Sequence, residues 1–227
     1  MIQFLSKYKF FAAVMVVLSL IIITLIYQAL VPEPKLPVYQ PNMVNAELVD
    51  STKQYVRKYH TIADFSLINQ NGETITQKDY EGKIYIADFF FTTCPTICPI
   101  MTDNMVRLQE ILEENHRVML LSHSVTPEID SVPVLKAYAE KKGVNNAKWN
   151  MVTGDRIQIY DLARKSYLVA QIDPDGDDYD MIHTENFVLV DTKRRIRGFY
   201  DGTNWEEMEE LLKDIDILMK EEFSKKD

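Results

Sequence analysis

KIYIADFFFTTCPTICP, Lys83 to Pro99, is the stretch on which the fold turns. Its first part, Lys83 to Phe91, is β-branched, aromatic and nearly uncharged, which is the composition of a strand buried on both faces. Cys94 stands just beyond the end of that strand, and Cys98 follows four positions later. From about Pro95 or Pro99 to Glu114 the pattern turns helical, with Ile100, Val106, Leu108, Ile111 and Leu112 on an apolar face and proline tolerated in the first turn. A cysteine pair at a strand-to-helix junction occupies a reactive position, because the N–H groups that open a helix favour thiolate. If the first turn is helical, a spacing of four places both sulfurs on one face.

Working outward, the flanking sequence predicts alternating elements. On the N-terminal side, Ala63 to Ile68 and the segment after Asn71-Gly72 read as a short strand pair around a turn. On the C-terminal side, Arg117 to Val125 reads as a second core strand. An amphipathic helix around Val132 to Lys142 then ends at Gly143, and Asp155 opens another that reaches about Tyr167. Asn186 to Val190 and Arg195 to Tyr200 read as strands joined at Asp191-Thr192-Lys193, and Trp205 to Met219 as a closing helix. The result is an α/β, thioredoxin-like fold with an N-terminal hairpin extension.

Further upstream, Phe10 to Tyr27 is uncharged and about long enough to cross a bilayer as a helix. No small-x-small cleavage pattern follows it, which favours a retained anchor over a signal peptide. Lys7 and Lys9 precede the run, so the amino terminus is expected inside and the rest of the chain outside the cytoplasm. A leader this short points to a bacterial cytoplasmic membrane. Pro32, Pro34, Pro37 and Pro41 then favour an extended spacer that lifts the domain off the bilayer. The expected organisation is 1–9 cytoplasmic, 10–28 transmembrane, 29–58 linker, 59–222 the thioredoxin-like domain and 223–227 a tail.

The 227-residue chain has room for one ordinary domain besides the anchor, and its 46% hydrophobic content fits a packed core. A net charge of −9 argues against nucleic acid as a partner. Two cysteines exclude a multi-disulfide scaffold and point to metal or redox chemistry. Three residues separate them where dithiol oxidoreductases of the thioredoxin type have two, and two convergent thiolates form a soft site suited to Cu(I). A disulfide staple is the structural alternative, although a loop this small constrains the unfolded chain little.

A third ligand would come from the four histidines. His60 precedes the first strand in a region expected to be mobile, and His116 reads as a helix C-terminal cap. His123 alternates with apolar neighbours as a core or strand-end residue, with a ligand role left open. His183 stands alone in MIHTEN, just before the strand NFVLV, where thioredoxin-type redox enzymes place a cis-proline against their cysteines. The acidic cluster from Asp173 to Asp180 lacks the glycine and glutamate positions of an EF-hand and reads as a solvated loop. Met101, Met105 and Met181 read as core filling rather than ligands. Cys94-Pro95-Thr96 resembles a peroxiredoxin motif, but Phe91 and Ala87 replace the Thr or Ser and the Pro that such a motif requires.

CPTICP, the stretch SVTPEIDSVPVLKAYAEKKG, WNMVTGD before a helix and the isolated histidine before a strand together resemble the Sco/SenC copper proteins over about Tyr59 to Leu218. The resemblance implies that Cys94, Cys98 and His183 ligate copper, as Cu(I) or Cu(II). The implied partner is the copper-accepting subunit of cytochrome c oxidase, with other copper chaperones or thiol reductants as further partners. The implied location is the cell membrane, single-pass, with the C-terminal domain periplasmic. Some members act instead as thiol reductases, so the alternative is an extracytoplasmic thiol-disulfide oxidoreductase with Cys94 and Cys98 as its catalytic pair. Thr96 stands where many members have Asp between the cysteines, and Thr126 where Asp precedes the Pro. The missing carboxylate at position 96 bears on metal affinity or thiol potential.

Overall fold

A computed structural model describes residues 8–30, 34–49, 52–170 and 184–224. It divides into two units, Met1–Lys35 and Leu36–Asp227. In the first, Lys9–Leu30 forms helix α1, and its span from Lys9 to Tyr27 is long and apolar enough to cross a membrane, with a mean hydropathy of 2.8.

The second unit is built on one seven-stranded sheet. Its strands are β1 (Ser66–Asn69), β2 (Thr74–Thr76), β3 (Ile84–Phe90), β4 (Val118–Ser124), β5 (Trp149–Thr153), β6 (Asn186–Val190) and β7 (Ile196–Asp201), in spatial order β2-β1-β5-β4-β3-β6-β7. β3, β4 and β5 run parallel, and the outer pairings are antiparallel. The remaining helices are α2 (Ile97–Ile111), α3 (Val132–Lys142), α4 (Arg156–Asp161) and α5 (Trp205–Phe223). The expected N-terminal hairpin is β1–β2, at one edge of the sheet.

Every residue of β3 is buried, because β4 and β6 flank it and both its faces are covered. Ile84, Ile86 and Phe90 meet Met101, Met105 and Leu108 of α2, Leu135 of α3 and Leu211 and Ile215 of α5. Tyr85, Ala87 and Phe89 lie in the opposite core with Phe65, Tyr80, Ile159 and Tyr167. Each large side chain so buried contributes about 1.5–3 kcal/mol. Met101 and Met105 are core residues, as expected.

Local signals place most boundaries. Gly143 closes α3 in a left-handed conformation, φ 72°, with its N–H and that of Val144 reaching back to the last carbonyls. Asp155 caps α4 by accepting from the Gln158 N–H, after which one π-type turn, Leu162–Ser166, carries the chain to Tyr167. β5 is a strand that the sequence map omits. Its residues are fully buried between β4 and the hairpin, so they show no alternation of polar and apolar positions.

From Leu36 onward the proline-rich stretch belongs to the domain. The Tyr39 N–H donates to the Ile196 carbonyl at 2.9 Å, and the fully buried Arg197 donates to the carbonyls of Leu36 and Pro37, both at 2.9 Å. The same guanidinium pairs with Asp191 at 3.0 Å and Glu221 at 2.6 Å.

Candidate metal centre

The cysteines sit where the central strand gives way to α2. Cys94 precedes the helix, whose N-cap is Thr96, and Cys98 lies in its first turn. The two sulfurs are therefore not brought together by helical periodicity. They meet because the loop folds back, so that the Cys98 N–H donates to Cys94 Sγ at 3.4 Å. Both thiols are free and largely covered, Cys94 8% and Cys98 3% exposed.

Their acidities diverge. Burial opposes ionisation of Cys94, but the N–H groups of Thr96 and Cys98, with the Cys98 thiol and the Thr96 hydroxyl, outweigh it and bring the thiol down to about 7. Burial pushes Cys98 up to about 12, and the charges of Cys94 and Asp88 add to that rise.

A buried carboxylate fixes the loop. Asp130, with no exposed surface, accepts from the Thr92 N–H at 3.2 Å, the Thr92 hydroxyl at 2.5 Å, the Ser124 hydroxyl at 2.6 Å and the Thr126 hydroxyl at 3.1 Å. The end of β4 and the start of the cysteine loop are thus held on one carboxylate, and the ladder continues with the Val125 N–H donating to the Phe90 carbonyl. Thr126, where the family pattern has Asp, supplies one of these donors.

Asp88, on the Cys98 side of β3, is a second buried acid. Burial raises it to about 7 against a hydrogen bond from Ser122, and its Oδ1 has no partner among the described residues. Ser122 in turn accepts from the indole of Trp149 at 2.8 Å.

Three of the four histidines are described, and all stand away from the thiols. His60 is not in a mobile region: it is buried, and its Nε2 lies 2.7 Å from the Ser166 carbonyl. His116 is exposed, and its ring makes no capping bond among the described residues; the buried Lys148 instead donates to the carbonyls of Leu112 and Asn115 beyond α2. His123 is fully buried in the core opposite the cysteines, stacked on Phe89 at 4.7 Å between ring centroids. His183, Met181 and the acidic run from Asp173 to Asp180 lie outside the described residues. The described chain resumes at Thr184 and enters β6, which pairs with β3. The Gly202 N–H donates to the Glu185 carbonyl at 2.7 Å, and Asn104 of α2 donates to the Gly202 carbonyl at 2.8 Å, which fastens this entrance to the cysteine-bearing helix.

Two sulfurs, one of them near its thiolate form at neutral pH, make a soft donor set that suits a thiophilic ion over Mg or Ca. Among the described residues no group of three or more His, Cys, Asp or Glu is placed to hold a metal. Asp130 and Asp88 were not singled out from sequence. Asp88 had a signal, a carboxylate inside an otherwise apolar strand, whereas Asp130 had none beyond its place in a recognised stretch.

Comparison with known proteins gives a consistent result. The family model for SCO1/SenC matches residues 53–220. The SCO1 protein homolog of Bacillus subtilis is 32% identical over 158 residues, covering 69% of this chain and 81% of its own. The structure of BsSco, described as a Sco-family cytochrome c oxidase assembly protein with a disulfide switch, is 32% identical with a TM-score of 0.57, covering 68% of this chain and 92% of that one. The copper-bound structure of Arabidopsis thaliana ScoI is 26% identical with a TM-score of 0.54, covering 68% and 97%. With the mixed sheet, the cysteine loop at its centre and a match over most of the length, this chain belongs to the SCO1/SenC family.

Proposed function

We propose that this protein binds copper through Cys94, Cys98 and His183 and passes it to a copper-accepting subunit of cytochrome c oxidase. The observation that carries the reading is the thiol pair itself: Cys94 drawn to about 7 and held against the Cys98 N–H at 3.4 Å, at the end of the central strand. Copper here is cargo. A buried soft pair accepts it, and an acceptor's own ligands take it over one at a time. His183 is separated from β6 by only Thr184 and Glu185, and the fastening of that entrance to α2 supports its approach to the sulfurs. The copper-bound relative and the oxidase-assembly description of BsSco support the cargo and the destination. Helix α1 supports a single-pass anchor with the domain outside the cytoplasm of a bacterium.

A second reading rests on the divergence of the two thiols. Thiolate Cys94 attacks a target disulfide and releases one target thiolate; Cys98 then attacks the mixed disulfide, releases the second, and leaves Cys94–Cys98 oxidised for a thiol reductant to restore.

The test is to reduce the full-length protein, add copper and measure bound metal together with the visible thiolate-to-copper absorption, in wild type and His183→Ala. One copper per chain with a band that disappears in the variant is expected. No copper retained by the reduced wild type would overturn the metal reading. Disulfide-reducing activity that persists in His183→Ala would favour the second.

A further inference from the structure

Between the linker and the hairpin, the segment KQYVRKYH from Lys53 to His60 shows a pattern that the proposed copper chemistry does not use. Gln54, Val56 and His60 pin it to the domain: Gln54 donates to the carbonyls of Ala46 and Val49, the Asn42 N–H to the Val56 carbonyl, and the His60 N–H to Gln40 Oε1. The residues between the pins point outward. Tyr55 is 85% exposed and Tyr59 92%, and Lys53, Arg57 and Lys58 are exposed beside them.

Two large aromatic rings in water are an unfavourable use of side chains that could be buried, and here the backbone is set to keep them there. Tyr59 holds φ 67°, a left-handed conformation that non-glycine residues rarely adopt, while its neighbour His60 turns into the core. Burial foremost, with the charge of Lys53 adding to it, lowers His60, which places Lys53 near the buried end of the segment. No Asp or Glu occurs from Ser51 to His60, in a chain whose net charge is −9, although Asp50 directly precedes the stretch, Glu47 stands on the adjoining turn, and Asp64, Asp155 and Asp161 share a groove with Lys53. Tyrosine at the headgroup level with Lys and Arg beside it is the chemistry of an anionic bilayer surface.

We propose that Lys53, Tyr55, Arg57, Lys58 and Tyr59 form a docking surface for the anionic phospholipid surface of the membrane. The proposal rests on the reading of α1 as a membrane anchor. The anchor keeps the domain near the bilayer, and the patch selects which side of the domain faces it.

The experiment uses the full chain in nanodiscs of phosphatidylcholine alone or with phosphatidylglycerol, both brominated in the acyl chains. Trp introduced as Tyr55→Trp reports contact through quenching by bromine, with the unsubstituted chain as baseline for Trp149 and Trp205. Quenching is expected with phosphatidylglycerol, falling as salt is raised. Lys53→Gln/Arg57→Gln/Lys58→Gln should shift the docking equilibrium by on the order of a hundredfold, about fivefold per charge. Equal, salt-insensitive quenching in both lipids, or none above baseline, would overturn the proposal. So would loss of oxidase assembly in the triple variant without any lipid contact in the parent, which would assign the surface to a protein partner. Resistance of the chain to carbonate extraction, measured separately, reports whether α1 is inserted and so distinguishes failure of the anchor reading from failure of the docking reading.

Discussion

Asp88 and His123 face opposite cores and titrate against each other. The His123 Nδ1–H donates to the Asp88 carbonyl at 3.3 Å, which leaves Nε2 bare, and no partner reaches it among the described residues. Burial lowers His123 from 6.5 to about 4, so its neutral form is favoured by folding. The stability tied to that form is present above the unfolded value of 6.5 and is lost as pH falls to about 4. Asp88 behaves in the opposite sense. Burial raises it from 3.8 to about 7, so its contribution is full below 3.8 and is lost as pH rises through 7. Each slope amounts to on the order of 3 kcal/mol across its window, and the two oppose each other over most of the same range. His60, also lowered by burial, adds to the His123 side. His123→Phe should therefore gain stability relative to wild type as pH is lowered from 7 to 4, and Asp88→Asn should lose it, both read by urea unfolding at a series of pH values. Identical slopes in wild type and both variants would show that neither group changes its proton affinity on folding. At this scale the sequence displayed the cysteines, because thiols are rare and their spacing is visible. Asp88 was visible only as a carboxylate inside an apolar strand and Asp130 not at all, since a carboxylate's burial depends on partners such as Ser122 for the first and Thr92 and Ser124 for the second that the sequence does not bring together.

Helix α2 carries Cys98 at one end and is terminated at the other by a lysine from a different element. Lys148, 4% exposed, donates to the carbonyls of Leu112 at 2.5 Å and Asn115 at 2.6 Å, and burial lowers its amine to about 8. Removing that ammonium takes the charged donor from two carbonyls in a nearly closed site and leaves them only the N–H groups of Asn115 and Val118. Lys148→Met should cost about 2 kcal/mol, because an acceptor left without its charged donor loses more than a typical hydrogen bond contributes. Urea unfolding measures the loss, and faster amide exchange from Leu112 to Val118 should accompany it. The error over His116 is instructive here: sequence proximity to a helix end suggested the cap, whereas a long-range side chain supplies it. Helices and β3 were legible because their periodicity and caps are local, as with Gly143 and Asp155. β5 was not, because a five-residue strand buried on both faces has no alternation to read. The condition attached to the cysteine spacing, a helical turn spanning both residues, is not met, since Cys94 lies before the helix and meets Cys98 through its N–H.

At the scale of the molecule, one guanidinium ties the first residues of the domain to its last helix. Arg197 is fully buried and joins Leu36, Pro37, Asp191 and Glu221. Arg197→Met should leave Asp191 paired only with the more exposed Arg195 and release residues 36–40 from the edge of β7. A loss of about 3–5 kcal/mol is expected, with new proteolytic cleavage near Tyr39 as the structural readout. Unchanged resistance to protease would mean that the Tyr39–Ile196 and His60–Gln40 bonds hold the segment without the guanidinium. The α/β order and the apolar helix were readable because they are properties of long segments, but the attachment of the proline-rich stretch was not, since extended prolines look alike whether free or docked. The Arg197 cluster also bears on biosynthesis. A chain made from its amino terminus presents Leu36 and Pro37 well before their partner at 197 and its counter-charge at 221. The segment that follows α1 must therefore wait, unfastened, until residues 197 to 221 have been synthesised, and a product truncated before α5 would carry a buried cation short of one of its carboxylates.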